Sequence, residues 1–239
     1  MWHPSRDELI GAELIHVPPR PLDVDLPPGA NPSAAEYAAL MQGNDAWLAM
    51  EARWPGSMLD AGERMAQAHA AGLDETALQV AAQRVMEGRV PALLNNAAPE
   101  QREMYLGLLI DQAQAARDAG GAPACLAVLA ADAAARRALA PALAQREASW
   151  LIDAASEPPR DGAAKGGAGF TALEQEVLRR RLGDQAQALL TRSWRPGSSG
   201  TAPRNPLLEC NRTIELFRAV VALPAAERRL ASRVLLVRG

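Results

Sequence analysis

The side chains that could carry out chemistry in this sequence of 239 residues are few and widely spaced. His3, His16 and His69 are its only histidines; the first two lie in a proline-rich leader and the third beside small residues near a helix end. No two of them, and no histidine with a cysteine, fall at the local spacings that hold a metal or complete a nucleophilic triad. The sequence therefore assigns no catalytic residue, no metal ligand and no cofactor site. Lys165, the single lysine, sits in GAAKGGAG, which has the glycines of a phosphate cradle without the G-x-x-x-x-G-K-[ST] order, and the SEPPRD before it does not read as a strand. A flexible linker is the expectation there. Glu100, Glu103, Asp111 and Asp118 share one long helix, where they would serve either acid–base chemistry in a cleft or the helix dipole.

Cys125 and Cys210 are the only cysteines, and they form no CxxC. An even count lets them pair, and the 85-residue loop would make the bond worth roughly 4 kcal/mol. Two buried, unbonded thiols are the competing account. Pairing is favoured, because both lie on apolar helical faces in a chain that otherwise avoids cysteine.

Arg179, Arg180 and Arg181, with Arg192, Arg195, Arg204 and Arg212 close by, form the densest basic region. It is either a solvated face or a patch for a partner. The net charge of −3 argues against a general nucleic-acid binder, but it conceals an asymmetry. Residues 1 to 164 hold 12 Arg against 22 acidic residues, and residues 165 to 239 hold 13 basic against 6 acidic, so −10 and +7 make up the total of −3. Two halves of one fold facing each other or water explain this; so does a basic surface for an acidic partner, an anionic lipid surface or nucleic acid. Asn211 begins a glycosylation sequon on the same helix as Cys210, to which the bacterial-looking composition lends no weight.

The elements that would hold these side chains are helices. Hydrophobic residues make up 49% of the chain but aromatics only 4%, and alternating β-branched runs are nearly absent, so an all-α fold packed through small residues is expected. Its centre should be residues 98 to 119, APEQREMYLGLLIDQAQAARDA, closed by Gly120 and Gly121. Pro99 suits the first helical position, and Met104, Tyr105, Leu106, Leu108, Leu109 and Ile110 form an apolar block too wide for one face. That helix, about 30 Å long, must be covered on most sides. Arg102, Glu103 and Asp111 interrupt it too often for a membrane span.

Residues 1 to 32 carry six prolines between positions 18 and 32 and read as an extended arm or tether, with no signal peptide. Such a leader is also what would follow a membrane anchor lying outside these residues. Residues 33 to 239 read as a single helical domain, with flexible loops at about 158–169 and 195–204. Ser33 and Glu36, and again Thr171 and Glu174, make capping boxes. The first opens a helix to about 52 that Gly43 and Asn44 are placed to break, with Trp47 and Trp54 either in the core or on an exposed docking edge. A helix from Asp74 should stop at Gly88, leaving Pro91 to Asn96 as a connection. Near the end, Cys210, Ile214, Phe217 and Val221 recur as an apolar stripe. The sum is an irregular bundle of eight or nine helices, without the fixed period of a helical repeat array.

These features point to a non-enzymatic helical domain that binds another protein, with a periplasmic location favoured over a cytoplasmic one and any membrane contact made through an anchor not present here. No specific nucleic acid is expected. The alternatives are an enzyme whose site is assembled from dispersed carboxylates and arginines, and a regulator using the basic C-terminal third.

Overall fold

A computed structural model of the chain describes residues 22–26, 32–158, 171–187 and 205–236. Among these, every regular element is a helix, as the composition requires. The order is α1 (Ala34–Leu40), a 3₁₀ turn (Met41–Gly43), α2 (Asp45–Arg53), α3 (Ser57–Ala70), α4 (Glu75–Asn96), α5 (Pro99–Leu129), α6 (Ala133–Arg137), α7 (Pro141–Ser156), α8 (Ala172–Leu182), α9 (Pro206–Val221) and α10 (Ala225–Leu236). The loop at 158–169 past its first residue, the loop at 195–204, His3, His16 and Lys165 lie outside the described residues.

Local chemistry sets the helix ends. Both capping boxes close: Ser33 N–H donates to Glu36 Oε2 at 2.7 Å, and Thr171 N–H to Glu174 Oε2 at 2.7 Å. Each satisfies a donor that the first turn leaves without a helical partner. Gly43 and Asn44 break the first helix as expected, and the Asn44 side chain caps α2 by accepting from the N–H of Ala46 at 3.0 Å.

α5 is the central element, and α6, α7, α9 and α10 pack against it. Tyr105, Leu106, Leu108, Leu109 and Ile110 are all buried. Met104 departs from the expectation and is 55% exposed, so the apolar block leaves one edge to solvent. The expected stop at Gly120 and Gly121 is a kink: Gly121 takes φ 71° and ψ −166°, and helix resumes through Pro123 to Leu129. Proline cannot give an N–H to the carbonyl four residues back, and glycine alone takes such a φ without strain.

α4 corrects the sequence reading more substantially. It continues past Gly88 and Pro91 to Asn96, where an end and a connection are expected. An interior proline costs about 3 kcal/mol. Leu93 and Leu94, 1% and 4% exposed, each return about 1.5–3 kcal/mol on burial, which outweighs it. In α9, Val220 rather than Val221 completes the buried stripe with Cys210, Ile214 and Phe217. The short α6 is not expected from the sequence at all.

One helix contact depends on a missing side chain. A Cβ on Gly62 of α3 would stand 2.2 Å from the carbonyl oxygen of Ala34, so α1 lies on α3 at a separation that only glycine permits.

Candidate functional site: a strap groove beside a buried polar cluster

The end of α5 aims α6. Asp132 N–H donates to Ala127 O at 2.9 Å and Ala131 N–H to Val128 O at 3.0 Å, a Schellman closure with alanine, at φ 61°, in the left-handed position that glycine usually fills. The Asp132 carboxylate then caps α6 by accepting from Ala135 N–H at 2.8 Å. Two consecutive arginines leave this one-turn helix in different directions.

Arg136 goes into the core and is 6% exposed. It donates through Nη1 to Glu147 Oε1 of α7 at 2.8 Å and through Nη2 to the Tyr105 hydroxyl of α5 at 3.2 Å. The second Glu147 oxygen accepts from Gln112 Nε2 at 2.9 Å. Tyr105 lies against Trp150 with ring centroids 4.3 Å apart, and Trp150 Nε1 donates to Gln101 O at 2.9 Å. Burial pushes the Tyr105 phenol above its ordinary pKa, so it stays protonated. Arg136 Nε finds no hydrogen-bond partner among the described residues.

Glu87 of α4 stands beside this cluster. Its carboxylate makes no hydrogen bond or ion pair among the described residues, and burial drives its pKa up to about 7; Arg136 and Arg84 oppose that rise, and Glu147 and Asp132 reinforce it. Because the folded value lies above the unfolded one, the folded chain binds the extra proton between about pH 4.5 and about pH 7. This contribution to stability is complete at low pH and is lost as pH rises through 7. The expected result is that Glu87→Gln is more stable to urea than the unmodified chain at pH 8, by up to about 3 kcal/mol, and that the difference falls below about 1 kcal/mol by pH 5. Urea titrations at the two pH values measure it.

Arg137, the other arginine, reaches residues 22–26, a segment outside the helices that lies over α4 and α2. Its guanidinium holds both carboxylate oxygens of Asp23, with Nη2 to Oδ2 at 2.9 Å. The next residue is gripped by its main chain: Val24 N–H donates to Gln79 Oε1 at 2.9 Å, and Gln79 Nε2 donates to Val24 O at 2.6 Å. The Val24 side chain is 3% exposed. Longer contacts, 3.4 Å each, join Asn44 Nδ2 to Asp23 O and Trp47 Nε1 to Leu22 O. Between this strap and the cluster lies a void of about 20 Å³, room for one water molecule, bounded by Leu22, Gln83, Glu87, Arg136, Arg137 and Glu147.

The residues singled out from sequence are placed elsewhere. Glu103 pairs with Arg228 at 2.7 Å, Glu100 with Arg229 at 2.9 Å, Asp111 with Arg146 at 2.7 Å, and Asp118 with Arg117 at 3.3 Å. These four carboxylates do not converge on a cleft, and the first two join the acidic part of the chain to the basic part. Arg179 and Arg180 lie near Glu176, at 3.9 Å and 2.9 Å, and Arg181 lies 3.5 Å from Glu227; all three arginines are more than half exposed. Trp47 is fully buried, and Trp54 is half-buried with Arg53 and Arg89 each 5.8 Å from its ring. His69 Nδ1 is hydrogen-bonded to the Tyr37 hydroxyl at 2.8 Å. Cys125 and Cys210 sit at disulfide distance, Sγ to Sγ 2.07 Å, tying the outer arm of α5 to α9.

Among the described residues, no group of three or more His, Cys, Asp and Glu side chains is placed to hold a metal ion, and no helix is long and apolar enough to cross a membrane. Comparison with protein-family models, with curated proteins and with solved structures finds no match to this chain.

Proposed function

We propose that the chain is a non-enzymatic helical protein-interaction domain that works in an oxidising compartment such as the bacterial envelope. It takes its partner as an extended peptide in the groove formed by α2, α4 and α6. The observation that carries this reading is the carboxamide of Gln79 bonded to both main-chain groups of Val24. A side-chain amide that reads the N–H and C=O of one residue supplies affinity to any extended backbone, while side pockets supply selectivity. Here the selectivity comes from Arg137, which requires a carboxylate, and from the buried position of Val24, which requires an aliphatic side chain in the next place. The groove thus reads an acidic residue followed by an aliphatic one. Residues 22–26 fill it in cis, and a partner carrying the same pattern displaces them.

A tethered occupant competes at an effective concentration of about the millimolar range, so the groove must be vacated before binding in trans is measured. Asp23→Ala with Val24→Asp removes both of the strap's anchors and leaves the groove residues intact. A fluorescently labelled peptide of residues 20–28 is expected to bind this variant at least tenfold more tightly than the unmodified chain. Adding Gln79→Ala and Arg137→Ala should abolish the binding. A peptide that ignores the vacated groove would refute the proposal.

A further inference from the structure

A cleft of about 460 Å³ lies beside the cluster and shares Glu87, Val90 and Arg136 with the lining of the small void. Its walls come from α4, α5, α9 and α10, with Leu94, Leu109, Leu129, Phe217 and Leu235 as apolar surface. That volume is within the usual range for small-molecule sites, about 300–1,000 Å³, which combine apolar walls with a few polar groups. The polar groups at this mouth are Arg84, Glu87, Tyr105 and Arg136.

One feature of α4 decides what such a ligand must offer. The Glu87 carboxylate makes no hydrogen bond or ion pair among the described residues. That carboxylate therefore stands at the cleft without an ionic partner. The nearest buried cation, Arg136, already spends two nitrogens on Glu147 and Tyr105, and its Nε is sealed from solvent. An anionic ligand would meet Glu87, Glu147 and Asp132 with only Arg84 and the committed Arg136 in its favour. An ammonium group has three donors and no acceptor, which is the complement of what Glu87 presents.

We propose that the cleft between α4 and α5 binds an amphiphilic primary amine, with the ammonium on the Glu87 carboxylate and the alkyl chain along Leu94, Leu109 and Phe217. The inference does not rest on the strap groove, since none of Asp23, Val24, Gln79 and Arg137 lines this cleft.

Binding requires the Glu87 carboxylate in its ionised form. The groups facing it are Arg84 on its own helix, Tyr105 on α5, Asp132 and Arg136 at and on α6, and Glu147 on α7. With the Glu87 carboxyl titrating at about 7, amine affinity should rise about tenfold per pH unit below that value and level off above it.

The test uses the full chain and isothermal titration with n-octylamine, n-octanol and octanoate. At pH 8, octylamine is expected to bind at least tenfold more tightly than octanol, and octanoate to bind more weakly than either. At pH 5.5 the preference for the amine over the alcohol should fall at least tenfold. Glu87→Gln should remove that preference at pH 8, and its cooperative urea unfolding shows that the variant is folded. Equal binding of octylamine and octanol at pH 8, absence of amine binding, or a preference that survives Glu87→Gln would each overturn the proposal.

Discussion

Replacing Arg136 with methionine is expected to destabilise the chain by about 3–5 kcal/mol, the cost of leaving a buried charge without its partner. The side chains of Arg136 and Glu147 are 6% and 8% exposed, so bulk water does not replace the guanidinium, and the adjacent void holds at most one molecule. Gln112 remains on one Glu147 oxygen, but the other oxygen and the Tyr105 hydroxyl both lose a donor. The carboxylate must then stay charged in an apolar setting or take up a proton. Either course lowers stability at neutral pH, and protonation makes the loss smaller in acid. The pair need not itself be worth that much. Two ions of this kind each lose several kcal/mol of hydration on burial, so replacing both with apolar side chains is often neutral or better. Arg136→Met with Glu147→Leu should therefore recover most of what Arg136→Met loses. Urea denaturation of the two single variants and the double variant measures the coupling directly. A single variant within 1 kcal/mol of the unmodified chain would mean that the cluster is hydrated in solution.

The same cluster shows where reading a sequence succeeds and where it stops. The core of α5 is legible because Tyr105 to Ile110 supply more apolar surface than one helix face holds, and only a surrounding bundle satisfies that. The α1–α2 break is legible because Asn44 caps locally, within three residues. The end of α4 is not, because a proline's local cost is decided by the distant burial of Leu93 and Leu94. The polar site is harder again. Glu147 falls at i+4 from Leu143 and three before Trp150, on the apolar stripe of its own helix, and that misplaced charge was the available signal. Its partner Arg136 gives none, since in AAARRALAP it cannot be told from a solvated arginine beside Arg137. Gln79, 55 residues from Val24, is likewise an ordinary helical glutamine until the strap lies over it. Carboxylates spaced along one helix drew attention to Glu100, Glu103, Asp111 and Asp118, yet the first three pair with arginines brought in from other helices and Asp118 with its own neighbour Arg117. Helical periodicity ranks faces within an element; it does not say which faces meet.

Removing the Cys125–Cys210 bond is expected to lower stability by about 4 kcal/mol, chiefly through the unfolded chain. The bond closes a span of 85 residues, and both cysteines are fully buried on helices, α5 and α9, that already pack along each other. Substituting both by alanine gives up two small apolar side chains in the folded state. In the unfolded state it releases a loop that includes the long glycine-rich stretch around Lys165. The two contributions separate in a urea titration. Lost packing lowers the midpoint at constant slope, whereas a released loop exposes more surface on unfolding and steepens the slope as well. Cys125→Ala with Cys210→Ala should therefore show a lower midpoint and a larger slope, and reduction of the unmodified chain should reproduce both. The same bond supports placing the domain in an oxidising compartment, since thiols in the cytosol are kept reduced. Intact mass with and without reductant, on protein recovered from the periplasm, should differ by two hydrogens. Two free thiols in that preparation would remove the stability contribution and the compartment assignment together, while the strap groove, which involves neither cysteine, would stand or fall on its own peptide titration.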